Sequence, residues 1–336
     1  MTAPAAPLAL SLGDPAGVGP ELIAEAWARR ESENLPPFVV CGGARLLVEA
    51  ARTRGIDLPV CGIEDIREAG EHFGSALPVL DGHDVGYAPG APDSQGARLA
   101  LESLRDAVAL AASGAANAVV TGPVAKSRLA EVGFDFPGQT EFCAAAAGVA
   151  ADNAVMMLAG PSLRAVPLTV HCPLADVPRL VTTKLICART RLVHEALERD
   201  FGIKAPRIAV AALNPHAGED GRMGSEERDT IAPAIAALRE EGLEVTGPHP
   251  ADALFAPHQR GTYDAAIAMY HDQALVPLKA LDFDSGVNIT LGLPFVRTSA
   301  DHGTAFGIAG SGEAHPGATI AAIRLAGEMA ARRANG

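Results

Sequence analysis

Short apolar runs of β type alternate with longer segments of helical periodicity along the whole chain, and that alternation constrains the fold more than any other feature. Strand-like runs fall at 8–12, 38–41, 118–121, 154–158, 166–170, 208–212 and 265–269. Helical patterns fall at 21–30, 44–54, 97–112, 185–199, 226–241 and 318–332. Strands that alternate with helices predict an α/β fold with a largely parallel sheet. With 336 residues the chain has room for one large domain or two of ordinary size. No internal repeat or low-complexity linker divides it. The Pro- and Gly-rich stretch 78–92 reads as a long surface loop.

The charge balance narrows the partners. Forty acidic side chains against 27 basic ones give a formal net charge of −13, which argues against nucleic acid or an anionic membrane as the main partner. No run approaches the roughly 20 apolar residues that span a bilayer. The opening MTAPAAPLALSLGDPAG has no basic segment before its short apolar stretch, so it reads as a first strand rather than a signal peptide. The five cysteines, Cys41, Cys61, Cys143, Cys172 and Cys187, are odd in number and form no C-x-x-C pair. Reduced thiols and a cytoplasmic location are the expectation.

Three histidines share one context. His171 ends VPLTVH, His216 ends IAVAALNPH and His271 ends AAIAMYH. Each follows an apolar strand, so each is expected at the carboxyl end of a sheet strand, where open α/β sheets bind ligands. Imidazole is a common ligand of zinc and similar ions, and three protein ligands leave a position open for substrate. Separate loop histidines are the alternative reading, because spacings of 45 and 55 residues form no recognised metal pattern. The motif GDPAGVGPE (13–21) lies between a strand and a helix and is not G-x-G-x-x-G. A tight turn with Pro20 at the helix start explains much of it, and a helix N-terminus facing an anion is the functional alternative. The stretch 279–310 offers Lys279, Asn288 and Arg297, a set suited to clamping a phosphate or carboxylate. Gln139 and Thr140 in PGQTEF form a second candidate anion contact.

Taken together, GDPAGVGPE, TGPVAK, PGQTEF, LNPHAGE, MYHDQ and GVNITLGLPFVRTSADHGTA, in that order from about residue 8 to 330, resemble the 4-hydroxythreonine-4-phosphate dehydrogenase family of pyridoxal phosphate biosynthesis. The resemblance implies two α/β/α domains flanking a cleft, as in isocitrate and isopropylmalate dehydrogenases. The first would comprise residues 1–130 plus 285–336 and carry the cofactor loop. The second, residues 131–284, would carry the metal ligands and the dimer interface. It further implies a homodimer with shared active sites, NAD or NADP as cofactor, and a divalent metal (Zn, Mg or Co) on His171, His216 and His271. The substrate, a small phosphorylated hydroxy-amino acid, would meet Gln139, Thr140, Lys279, Asn288 and Arg297. Asp301, His302, Gly303 and Thr304 match the cofactor loop, while Asp252 and Asp272 are candidates for the general base by position alone. The chain departs from the family pattern at Gln139, usually His, and at Gly307, usually a carboxylate. These two positions bear on the exact substrate and on NAD versus NADP. Dehydrogenases of 4-phosphothreonate or of a cyclic dihydrodiol dicarboxylate are alternatives within the same fold, and a non-catalytic metabolite-binding homologue is a third.

Overall fold

The computed structural model describes residues 6–80 and 82–335. Residues 1–5 of the opening segment, and Asp81 within the expected loop, lie outside them. The strands are β1 (Leu8–Ser11), β2 (Phe38–Cys41), β3 (Val60–Ile63), β4 (Leu77–Leu80), β5 (Ala118–Val120), β6 (Val155–Ala159), β7 (Arg164–Thr169), β8 (Arg207–Ala211), β9 (Glu244–His249), β10 (Ala265–Tyr270), β11 (Val287–Leu291) and β12 (Val296–Ala300). The expected α/β class is what the chain adopts, and every strand anticipated from the sequence is present.

Two compact units emerge. One runs up to Ala154 and resumes over Leu293–Ala331; the other comprises Val155–Gly292 and the chain from Arg332 onward. Residues 131–154 fall in the first unit because Phe134, Cys143 and Ala144 belong to its buried apolar cluster, together with Leu293 and Phe295. The sequence alone places the changeovers near 130 and 285; in the structure they fall after Ala154 and before Leu293.

In the first unit the strand order is β3-β4-β2-β1-β5-β12, and every neighbouring pair is parallel. All four residues of β1 and of β2 are buried, as expected for parallel strands covered on both faces. The helix Ser94–Ala112 is capped by Asp93, whose Oδ1 accepts from Gly96 N at 2.7 Å, and it buries Leu101, Leu104 and Val108. Residues 77–80 correct the surface-loop expectation for 78–92: they form the buried strand β4, between β2 and β3. Pro78 is tolerated because the β2 ladder begins one residue later, at Val79 opposite Val40.

In the second unit the order is β11-β6-β7-β10-β8-β9. The four strands β7-β10-β8-β9 are parallel, whereas β6 runs antiparallel to both β7 and β11. The helix expected over 226–241 is instead a π-helical turn, Glu227–Ile231, leading into Ala232–Glu240. The helix His271–Asp282 is tied down at its far end: Ser162 donates to Asp282 through N (2.9 Å) and Oγ (2.8 Å). No described helix is long and apolar enough to cross a membrane.

Gly160 lies so close to Asp282 that a β-carbon there would collide with the carboxylate. Gly160→Ala is therefore expected to lower stability by about 1–3 kcal/mol through overpacking, read as a reduced midpoint in urea unfolding. A midpoint equal to wild type would show that this contact does not anchor the helix.

Candidate functional site

In the first unit the chain turns away from β1 to one side of the sheet and reaches β5 on the other, and such a switch point leaves a crevice at the strands' carboxyl ends. The loops after β1 and β5 are joined there: Asp14 N donates to Pro123 O (2.8 Å) and Gly122 N to Ser11 Oγ (3.0 Å). Val18, at the start of the helix Gly19–Ala28, donates its N–H to Thr304 O at 3.0 Å. GDPAGVGPE thus serves as a turn locked against the 301–304 segment, with Pro20 in the first helical turn. In that segment His302 Nδ1 lies 3.0 Å from Gly303 O, and Asp301 is half-buried.

Arg297 on β12 is only 4% exposed. Its Nη2 donates to Thr121 Oγ1 (2.8 Å) and to Gln139 Oε1 (2.9 Å), while Gln139 Nε2 donates to Gly122 O (3.0 Å). Both of these acceptors are neutral oxygens, and together they direct the Nη2 end of the guanidinium. Burial holds its pKa below the ordinary arginine value. Gln139, read from the sequence as a substrate contact, has both ends of its amide engaged within the protein. Thr140 follows it in the helix Gln139–Ala146 and is half-buried.

In the second unit the three histidine-bearing strands are neighbours in the order β7-β10-β8. Parallel pairing sets Thr169 opposite Tyr270 and Val210 opposite Ile267, so His171, His271 and His216 all emerge at one edge. The rings of His171 and His271 have centroids 5.9 Å apart and are tilted by 41°. With metal–nitrogen bonds of about 2.1 Å, two imidazoles on one ion stand roughly 5–6 Å apart. That pair fits a shared divalent ion. Asp272 Oδ1 accepts from His271 Nδ1 at 2.7 Å, so Nε2 is the ring nitrogen left for another partner. His216 does not join the pair. It is exposed, its Nδ1 lies 3.7 Å from Glu219 Oε1, and among the described residues no group of three or more His, Cys, Asp or Glu is placed to hold an ion.

His216 opens a run of five left-handed residues, with φ of 54° (His216), 54° (Ala217), 76° (Gly218), 46° (Glu219) and 57° (Asp220). His171 is also left-handed, at φ 50°. Each such non-glycine residue costs on the order of 1–2 kcal/mol, and strain of this kind concentrates where function requires it. The turn is held from beneath by Glu227, a buried carboxylate in the π-helical turn. Its Oε1 accepts from Leu213 N (2.9 Å) and Asn214 N (2.7 Å), and its Oε2 accepts from Asn214 Nδ2 (3.0 Å). Gly218 is required because a β-carbon there would strike Glu227 Oε2.

The remaining candidates are dispersed. Asn288, on β11, has a buried Oδ1 that accepts no hydrogen bond among the described residues. Lys279 is exposed on the helix His271–Asp282, on the face that also presents Asp272 and Val276. Asp252 is exposed on the short helix Ala251–Leu254.

Comparison with known proteins decides the family. The family model of the pyridoxal phosphate biosynthetic protein PdxA matches residues 33–326. The chain belongs to the PdxA family. A relative from Erythrobacter litoralis named 4-hydroxythreonine-4-phosphate dehydrogenase is 63% identical over the whole of both chains, and one of the same name from Zymomonas mobilis is 51% identical over 97% of this chain and 96% of its own. The crystal structure of 4-hydroxythreonine-4-phosphate dehydrogenase from Klebsiella pneumoniae has a TM-score of 0.83 at 38% identity, covering 98% of this chain and 99% of that one. A terephthalate 1,2-cis-dihydrodiol dehydrogenase from Burkholderia xenovorans is more distant: TM-score 0.64, 29% identity, 96% and 97% covered.

For this PdxA-family chain the sequence points to the ligand-type side chains and to two groups that touch them, Gln139 and Asp272, but not to Thr121 or Glu227. Thr121 and Glu227 sit in motifs or helices that read as ordinary, and only burial marks them. Glu227→Ala leaves two backbone N–H groups without their acceptor and is expected to cost about 1.5–3 kcal/mol, as for hydrogen bonds to a charged group. Urea unfolding and protease sensitivity of the 213–222 segment measure this; unchanged stability with an intact segment would refute the anchoring role.

Proposed function

We propose that this chain is an NAD(P)-linked, metal-assisted dehydrogenase. It oxidises 4-phosphohydroxy-L-threonine to 2-amino-3-oxo-4-phosphooxybutanoate, which then loses carbon dioxide to give 3-amino-2-oxopropyl phosphate. The observation that carries the reading is the meeting of two imidazoles, one backed by Asp272, on a sheet edge that also bears His216, in a chain 63% identical to a protein named for that activity. A bound Zn, Mg or Co ion would lower the pKa of the substrate hydroxyl, and NAD or NADP would take up the hydride.

The chain's own groups divide the remaining tasks. His171, His271 and His216 would hold the ion, with Asp272 directing His271 Nε2. Arg297, held at its Nη2 end by Thr121 and Gln139, would present its planar fork to the phosphate, with Thr140 and Lys279 adding donors. The buried Asn288 oxygen would accept a hydrogen bond from the substrate's amine or hydroxyl. The 301–304 segment would carry the adenosine part of the cofactor; Gly303 and Gly307 both adjoin open space, so their backbone is accessible to it. Asp252 and Asp272 are the base candidates, and the contact of Asp272 with His271 favours an orienting role for Asp272. The dihydrodiol reading is less well supported, since the structural likeness to that enzyme is lower than to the 4-hydroxythreonine-4-phosphate dehydrogenases.

The test is NAD(P)H production from 4-phosphohydroxy-L-threonine, 4-phosphothreonate and a dihydrodiol dicarboxylate, with each cofactor. Turnover should be highest on the first, should vanish on chelation and should return with added metal. Full activity of metal-free enzyme would sink the mechanism. Arg297→Ala should raise KM for the phosphorylated substrate by roughly 10- to 100-fold, the equivalent of about 1.5–3 kcal/mol, with cofactor affinity held. A fall in cofactor affinity instead would reassign that arginine.

A cytoplasmic homodimer with shared sites completes the reading. The single chain gathers two of its three histidines, and the second unit exposes Val170, Leu174, Leu180, Val276 and Phe283, the last two 63% and 74% exposed. Apolar exposure of this kind supports an interface there, and Lys279 lies on the same helix as Val276. Mixing inactive His171→Ala with inactive Lys279→Ala chains should restore about a quarter of wild-type activity if the two residues serve one site from different subunits. A fully active monomer in solution would refute this arrangement.

A further inference from the structure

The backbone ladder between β10 and β8 pairs Ala265 with Ile208, Ala266 with Ala209 and Ile267 with Val210, and ends there. Continued by two residues it would set Met269 against Ala212, and at that level a side chain takes its place. Met269 N donates to Gln273 Oε1 at 2.7 Å, and Gln273 Nε2 donates to Ala212 O at 2.8 Å. Gln273 is 9% exposed. The primary amide has a donor and an acceptor side by side, as a peptide group does, so it acts as an inserted rung between two diverging strands. From the other flank, Thr169 Oγ1 donates to Met269 O at 2.9 Å. Ala212 N is fixed in turn by His249 O at 2.7 Å. Thr169 stands two residues before His171, Met269 two before His271, and Ala212 four before His216. One buried amide and one hydroxyl thus bind together the three strand ends that bear the histidines.

We infer that Gln273 is a positioning residue: its amide holds in place the strand ends from which His271 and His216 leave, with Thr169 doing the same for the ends that lead to His171 and His271. The inference rests on the metal-assisted reading above. Glutamate in its place could accept from Met269 N but would turn an oxygen toward Ala212 O. Methionine would fill the space and make neither bond.

The probe is Co²⁺ added to the metal-free full-length protein, with affinity read by competition against a chelator and ligand geometry by the visible d–d absorption. Wild type should bind cobalt stoichiometrically. Gln273→Glu and Gln273→Met should weaken binding on the order of tenfold or more, the usual range for residues that orient metal ligands, and should shift the d–d bands. Tyr263→Phe removes a buried hydrogen bond to Leu254 O elsewhere in the same unit, so it should lower stability while leaving cobalt affinity and spectrum unchanged. A folded Gln273→Met protein that binds cobalt with wild-type affinity and spectrum overturns the positioning role and leaves the metal reading standing. A wild type that takes up no cobalt overturns both. If neither Gln273 variant folds, Thr169→Val decides: a shifted spectrum supports the bracket, and an unchanged one overturns it.

Discussion

Parallel pairing of β7, β10 and β8 is the constraint on which the rest of the second unit depends. A parallel pair cannot be closed by a hairpin, so each strand is reached by a crossover and every strand leaves the sheet at the same edge. Residues far apart in sequence but similarly placed after their strands are thereby brought to one line. His171, His271 and His216 are such residues, and the order β7-β10-β8 makes their strands immediate neighbours. The first unit applies the same rule: the loops after β1 and β5, and Arg297 on the adjoining β12, meet because all three strands run in one direction.

Assembling polar groups at such an edge has a cost, and the structure shows where it is offset. A charged guanidinium out of water needs hydrogen-bonding partners, and two of those of Arg297 are Thr121 and Gln139. A left-handed turn of five residues is unfavourable by itself, and the carboxylate of Glu227 binds the two backbone N–H groups leading into it. In both places the residue with the obvious chemistry is held by one with none of its own. Gln139 shows the consequence: both ends of its amide are bonded within the protein, one of them to Arg297. A histidine there would present a different donor and acceptor pattern to the same arginine.

Apart from Met223, the exposed large apolar side chains of the second unit lie at 170–180, around His171, and at 276–283, along and just past the helix that begins with His271. The same two stretches therefore carry candidate ligands and exposed apolar side chains. This follows from the strand-edge geometry, since both leave the sheet at one edge.

The sequence by itself determined the α/β class, most of the strands, the three strand-terminal histidines and, through its ordered motifs, the family. These are legible because periodicity and motif order are local and survive in one dimension. It left out β3, β4, β9, β11 and β12, which are half-exposed, contain proline or glycine, or lie in stretches whose polar residues drew the reading elsewhere. Tertiary structure alone decided which candidates meet. Pairing order brought His171 beside His271 and left His216 apart on its left-handed turn. Packing turned the half-buried Gln139 and the buried Glu227 and Gln273 into holders of other groups. The physical reason is that a hydrogen-bond partner is chosen by distance and exclusion of water, and neither quantity exists until strands separated by some 50 to 100 residues have paired.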